Sequence, residues 1–436
     1  MSGAVAAHAA HNGSGTQGLA VTNALTSTDG GDVQSVFYNR NDTVRQVLYG
    51  SAIVEIPASG NGGSLTSGSG NQLFSVNSDI DALGDLYLQI TLTGASGQLS
   101  ANKTILDVIK RVEFKVATQV YQTLSHEDIF VLNSTELSEG AFESYFYDIA
   151  GGRAKDGGKK DGIQYTIGAT APLTGARQTT HRQVSAGEVT CVVRLPCLSR
   201  TISPMLAGFA NVSEGAYLMA GATGQNVKIN VYTNALSGIT THTGVELKLF
   251  GKQMVMTNAE RGQFTSTANP NGLPKRAKTS QNHVLPSTIS SIAASGELEV
   301  NLDLDHFSLY ASHLVIALGD PDCHIKKAEL KLNSSSFSGE LDGGLLTGPV
   351  ADSMGLHFNQ FYAGGVGLAR NYYVFPLASQ AYGSSSVPLN RFDNIRLILT
   401  IRNQNASTAI SPKISVTCVG ETTILYKNNA ASLAMY

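Results

Sequence analysis

The sequence predicts an all-β chain built as two successive β-sandwiches, on three observations. Runs with period two follow one another along the chain. No helical pattern alternates with them, which argues against a βαβ layout. Charged residues are only 14% of the 436, while Gly numbers 45 and Trp is absent; ~25% charge and ~7% Gly are usual. Low charge with many turn formers suits a loop-rich β protein. Single cores stop growing near ~250–300 residues, so a chain of 436 residues divides in two. Two packed antiparallel sheets per block, joined by long crossovers, imply Greek-key or jelly-roll topology.

The first block opens with VRQVLYGSAIVEI (44–56) and the short run NQLFSV (71–76). In DLYLQITLTG (85–94), Leu86, Leu88, Ile90 and Leu92 share one face and Tyr87, Gln89 and Thr91 the other, the pattern of a half-buried strand. Thr104 is placed to cap a helical turn holding Ile105, Leu106 and Ile109. Alternation then returns at Val112, Phe114 and Val116. SHEDIFVLNSTEL (125–137) opens with Ser125 and Asp128, a capping box, and predicts a short helix. Residues 150–187 are rich in Gly, Lys and Thr with no apolar period, a long excursion of the kind that carries function or surface contact. Strands resume at 188–196, 225–233 and 244–256.

Residues 258–282 have loop composition and are expected to connect the two blocks. The second block reads as strands at 296–304, 312–319, 323–333, 371–377, 392–403 and 412–428, with a helix near 350–361. The expected organisation is an N-terminal arm (1–32), a first domain (33–257), the connection (258–282), a second domain (283–428) and a tail (429–436).

The net charge of −3 directs the chain toward neither nucleic acid nor anionic lipid. Cys191, Cys197, Cys323 and Cys418 include no C-x-x-C pair and read as reduced, buried thiols, although Cys191 and Cys197 are close enough in sequence to pair across a turn. The N-terminus lacks a basic region followed by an apolar run, so it reads as an arm rather than a signal peptide. No stretch of ~18 apolar residues predicts a membrane span. N-x-S/T sequons stand at Asn12, Asn41, Asn102, Asn133, Asn211, Asn333 and Asn405; in a chain this rich in Asn, Ser and Thr many arise by chance.

Several small constellations carry possible chemistry. Asp303 and Asp305 share a strand face as two metal ligands would, with His306 next to them; the same alternation puts Leu302 and Leu304 inward and the carboxylates in solvent. Asp322, Cys323 and His324 are consecutive, and strand neighbours point to opposite faces, so they do not converge on one ion. The basic runs RAKDGGKKDG (153–162) and PKRAK (274–278) contain acids or lack interleaved aromatics and read as solvated loops. No catalytic motif, metal set or cofactor fingerprint stands out. An enzyme is not predicted, and neither is a catalytic residue, a metal or a cofactor.

The stretch NYYVFPLASQAYGSSSVPLNRFDNIRLILT (371–400) resembles a segment of the major capsid proteins of nucleocytoplasmic large DNA viruses, related to those of virophages and polinton-like viruses. In that family a tyrosine-bearing strand leads through a polar loop to a phenylalanine- and arginine-containing Asp-Asn corner, and then to a strand. Tyr373, Val374, Phe375, Pro376 and Leu377 match the first part; Ser386, Val387 and Pro388 stand in the loop; Leu389, Asn390, Arg391, Phe392, Asp393 and Asn394 match the corner. Weaker patches keep the same order: Val112, Glu113, Phe114, Lys115 and Val116 in a strand after a helical turn, Asn258, Glu260 and Arg261 at the exit of the first domain, 35–50 at its start, and 421–436 at the end.

The resemblance implies two consecutive eight-stranded jelly-roll sandwiches, with short helices in connecting loops. It implies a homotrimer forming a pseudo-hexagonal capsomer that tiles an icosahedral shell in the virion, assembled inside the host cell. Implied partners are neighbouring capsomers, minor capsid or cement proteins, and an internal membrane at the capsid base, with no specific nucleic acid. A receptor-binding or single-roll minor capsid protein is the alternative, and a carbohydrate-active sandwich enzyme a more distant one. At the corner, Arg391 and Asp393 are expected to share a strand face and to pair, or Arg391 to reach a neighbouring subunit. Phe392 is expected to anchor the core, and Asp393 and Asn394 to bond loop backbone.

Overall fold

The computed structural model describes residues 50–60, 63–66, 68–76, 82–94, 99–100, 103–116, 119–136, 149, 153–154, 188–196, 218–219, 226–255, 273–284, 290–320, 322–347, 371–377, 386–427 and 430–433. Within the first block the strands are β1 (Gly50–Ile56), β2 (Ala58–Ser59), β3 (Ser64–Thr66), β4 (Gly70–Ser75), β5 (Ala82–Thr93), β6 (Ile109–Val116), β7 (Gln119–Ser125), β8 (Arg153–Ala154), β9 (Val189–Leu195), β10 (Leu218–Met219), β11 (Val227–Thr233) and β12 (Gly244–Val255). Helix α1 (His126–Glu136) follows β7 directly. The second block contains β13 (Leu273–Val284), β14 (Glu297–Asp303), β15 (Tyr310–Leu318), β16 (Cys323–Leu332), β17 (Ser335–Ser336), β18 (Leu341–Asp342), helix α2 (Gly343–Thr347), β19 (Asn371–Pro376), β20 (Val387–Pro388), β21 (Ile395–Asn403), β22 (Ile414–Lys427) and β23 (Ala430–Leu433).

Four antiparallel sheets result. In the first block, β1-β12-β5-β9-β8 faces β2-β4-β11-β6-β7. In the second, β13-β22-β15-β19 faces β14-β21-β16-β17. Counting the main strands of each block from one to eight gives the orders 1-8-3-6 and 2-7-4-5 in both blocks. That interleaving of two four-stranded sheets is a jelly roll, made twice.

Alternation explains the sheets locally. Leu86, Leu88, Ile90 and Leu92 of β5 are all buried, as are Ile325, Leu330 and Leu332 of β16 and Leu397, Leu399 and Ile401 of β21. In β16 the period breaks between Ile325 and Lys327, where a bulge shifts the register against β21. Thr104 and Asp107 form the predicted cap, with the Asp107 carboxylate taking both the Thr104 N–H (2.8 Å) and hydroxyl (3.0 Å). The turn it starts, Ile105–Val108, is a 3₁₀ turn, and Ile109 already begins β6.

Two boundaries differ from expectation. The connection was expected to run as loop to 282, but β13 starts at Leu273 and pairs along its length with β22, so the second roll begins about ten residues earlier. β13 is the outer strand of its sheet. Pro274 and the cations Lys275, Arg276 and Lys278 give it loop composition, and those are also the residues that protect a sheet edge. The tail, too, holds structure: β23 folds back on β22 in a hairpin. The arm (1–32), residues 258–272 and the helix expected at 350–361 lie outside the described residues, as does most of 150–187.

The rolls share a core. The cluster that fills the first roll also takes in Val315, Ala317, Tyr372, Val374 and Val419 from the outward face of the β13-β22-β15-β19 sheet. Helix α1 lies between that face and the first roll. Its consecutive Ile129, Phe130, Val131 and Leu132 go once round the axis and are all buried, because both rolls cover this turn.

Candidate functional site

The corner at 387–395 is held by backbone. Val387 and Pro388 pair with Ala311 and Tyr310, and residues Leu389–Arg391 form one 3₁₀ turn. The Leu389 N–H donates to Leu309 O (3.0 Å), and the Phe392 N–H to Leu389 O (3.1 Å). Asn333, at φ 49° in the β16–β17 turn, offers one side-chain oxygen to the N–H groups of both Asp393 (3.0 Å) and Asn394 (3.2 Å). The Ile395 N–H donates to Asp305 Oδ1 (2.6 Å).

Three expectations change there. Strand β21 starts at Ile395, so Arg391 and Asp393 precede it and share no strand face. Both are exposed, and no ion pair joins them. Phe392 is half-buried against the second core, while Leu389 and Ile395 on either side are the fully buried anchors. The Asx bonding is also inverted: Asp393 and Asn394 contribute their backbone, and the side chains come from Asn333 and Asp305. Sequence spacing gives no signal for partners ~60 and ~90 residues away, since only sheet register brings them together.

The remaining constellations resolve into structural roles. Asp303 takes a hydrogen bond from Arg396 Nε (3.1 Å) across β14–β21. Asp305 caps the corner. The His306 ring packs against His283, with centroids 5.0 Å apart, and against Phe307. Cys323 is buried while Asp322 is exposed and bonds Asn405 Nδ2 (3.0 Å). Cys191, Cys323 and Cys418 are buried thiols. Burial, with Asp320 and Asp322 nearby, pushes Cys323 up to about 11, and burial alone raises Cys418. Cys197 lies outside the described residues. Among the described residues no group of three His, Cys, Asp or Glu side chains could hold a metal ion, and no helix is long and apolar enough to cross a membrane. The sequon residue Asn133 is buried, its amide donating to Arg194 O (2.8 Å).

Charge concentrates on the outer face of β6. The Glu113 carboxylate receives Arg111 Nε (2.8 Å), Lys115 Nζ (2.9 Å) and the Tyr232 hydroxyl (3.1 Å), while Arg111 lies 4.0 Å over the Tyr232 ring. These bonds hold Glu113 below its ordinary range although burial alone acts to raise it.

The inter-roll face has a polar half that sequence reasoning missed. Asp128 caps α1: its Oδ2 takes the Ser125 N–H (2.8 Å) and hydroxyl (2.7 Å), and its own N–H donates to Ser125 Oγ (3.1 Å). Asn282 of β13 reaches across with Nδ2 to Asp128 Oδ1 (3.4 Å), Ser125 Oγ (3.4 Å) and Thr417 Oγ1 (3.3 Å). Ser415 of β22 donates to the Glu127 carboxylate. Phe130 packs on Tyr372 with ring centroids 5.6 Å apart. Burial pushes Asp128 up to about 6, with the Glu127 charge adding to the effect. The capping box of α1 was visible in the sequence; its partner Asn282 lay hidden in a segment of loop composition.

No family model and no curated protein matches the chain. Solved structures do. PBCV-1 VP54, fitted into a reconstruction of the virophage Sputnik, superposes with a TM-score of 0.62 at 11% identity over 89% of this chain and 97% of its own. The PBCV-1 virus capsid gives 0.61 at 10% identity over the same shares. The Faustovirus major capsid protein gives 0.54 at 9% identity over 87% of this chain and 91% of its own. At such identities the likeness is one of fold, and it spans most of both chains: this chain is an all-β double jelly roll of the architecture found in those capsid proteins.

Proposed function

We propose that the chain is a major capsid protein that trimerises into pseudo-hexagonal capsomers and tiles an icosahedral shell. The observation that carries this reading is the pair of rolls with one strand order, joined by a shared core. Three copies of a two-roll unit outline a six-sided object, and closed rings of that kind tile a surface. The solved structures that share this fold over nearly their full length are capsid proteins. A single-roll minor capsid protein lacks the second unit. A glycosidase needs two carboxylates set over a cleft, whereas Asp128, Asp303 and Asp305 serve the cap, an ion pair and the corner.

Within this reading Arg391 is an assembly residue: it is exposed beside a hydrogen-bonded corner and has no ion-pair partner in its own chain among the described residues. Neighbouring capsomers and minor capsid proteins are the partners, and the virion is the location. Size-exclusion chromatography with mass measurement tests the reading. A stable trimer that images as hexagonal capsomers is expected; a monomer with a saturable sugar site overturns it.

A further inference from the structure

The rolls repeat one strand order, and the junction inside the chain shows how two such units meet. On one side it uses the outward face of the second roll's sheet of strands one, eight, three and six, β13-β22-β15-β19. On the other it uses α1, the helix after the first roll's fifth strand, which sits on β6 and β9, strands four and six of its own roll. A counterpart of each lies outside that junction. The first roll has the outward face of β1-β12-β5-β9. The second has its fifth-strand side: β17 and β18 pair along the edge of β16, and α2 follows β18 and sits on β16 and β19, again strands four and six.

Both counterparts present apolar side chains to solvent. Ile56, Leu249, Leu88 and Val193 point into the first core, so by alternation Ile53, Phe250, Tyr87 and Val192 point outward. Register sets those four on one diagonal. Phe250 pairs with Tyr87, Ile53 pairs with Lys252 two residues from Phe250, and Val192 pairs with Gln89 two residues from Tyr87. Ile53 is 63% and Val192 50% exposed. On the second roll Phe337, directly after β17, is 44% exposed, and Leu345 of α2 is 40% exposed while Leu346 beside it is buried. The outward faces of the other two sheets are charged instead, with Arg111, Glu113 and Lys115 on one and Glu297, Glu299 and Arg396 on the other. Opposite charges flank the two apolar patches: Lys252 lies across from Ile53, and Asp342 immediately precedes α2.

We propose that the β17–α2 side of the second roll docks on the outward face of β1-β12-β5-β9 in a second copy of this chain, repeating between copies the junction that α1 makes within one. Phe337 and Leu345 then cover the diagonal from Ile53 to Val192, and apolar surface exposed on both faces leaves water. The contact is heterologous, so each added copy presents the same two faces until the ring closes. Closure at three copies rests on the capsid reading; the choice of faces rests on the internal repeat.

Crosslinking and mass measurement of the full chain test it. The double variant Val192→Cys/Leu345→Cys, treated with a short bismaleimide, should give covalent oligomers up to a trimer, while each single variant should match the wild type. Val192→Asp and Leu345→Asp should each weaken self-association about tenfold or more, with the unfolding midpoint unchanged because both sites are exposed. A wild-type trimer that the double variant fails to crosslink and both Asp variants leave intact overturns this interface and leaves the capsid reading standing. A wild type that stays monomeric overturns both. An Asp variant with a lowered midpoint and intact association assigns the face to another segment of the same chain, and also overturns the proposal.

Discussion

At the corner, the residue that stands out in the sequence is not the one that anchors the fold. Phe392 is half-buried, so Phe392→Ala should cost about 1–2 kcal/mol, less than the ~3–5 kcal/mol of a fully buried phenylalanine. Ile395 is 1% exposed, and Ile395→Ala should cost about 2–4 kcal/mol. Denaturant midpoints at constant slope would rank the two, and a Phe392→Ala loss exceeding that of Ile395→Ala would refute the ranking. Asn333 joins two needs in one side chain: it tolerates a left-handed φ and accepts two backbone N–H groups. Asn333→Ala should therefore lose about 1–3 kcal/mol although the residue is exposed. Arg391→Ala, by contrast, should leave the midpoint within about 0.5 kcal/mol and reduce trimers or shells; normal assembly from that variant would remove Arg391 from the interface.

Elements in this chain are set by ends and edges as much as by propensity. Ser125 and Asp128 start α1 where β7 stops, so Ser125→Ala should cost on the order of 1 kcal/mol, read from thermal unfolding. β13 shows the reverse case. Its alternation is obscured by proline and cations that suit an outermost strand, so reading loops from composition fails at a sheet edge. At β22, Gly420 sits where the register slips against β15 between Ala311 and His313, and a Cβ there would overlap the Tyr310 carbonyl oxygen. Gly420→Ala should lower stability in both heat and denaturant scans; an unchanged midpoint would show that β15 yields at the bulge.

Over the whole molecule, the shared core predicts a single cooperative unit. Side chains from β15, β19 and β22 complete the first roll's core, so neither roll keeps its buried surface without the other. The buried thiols report on each half separately: Cys191 in the first roll, Cys323 and Cys418 in the second. Their reactivity toward a thiol reagent should emerge at one denaturant concentration. Two separated midpoints would mean the rolls unfold independently.

The sequence by itself determined the class of fold, most strand positions, the caps at Thr104 and Ser125, and the presence of two like blocks. Those features are written in local period and local hydrogen bonding, which neighbours in sequence settle between themselves. Tertiary structure alone decided which strands pair, that β13 belongs to a sheet, that α1 is buried from both sides, and that Asn333, Asp305 and Asn282 serve groups far along the chain. Each of these is a meeting across long sequence separation. Register and packing choose such partners, and no local pattern records them.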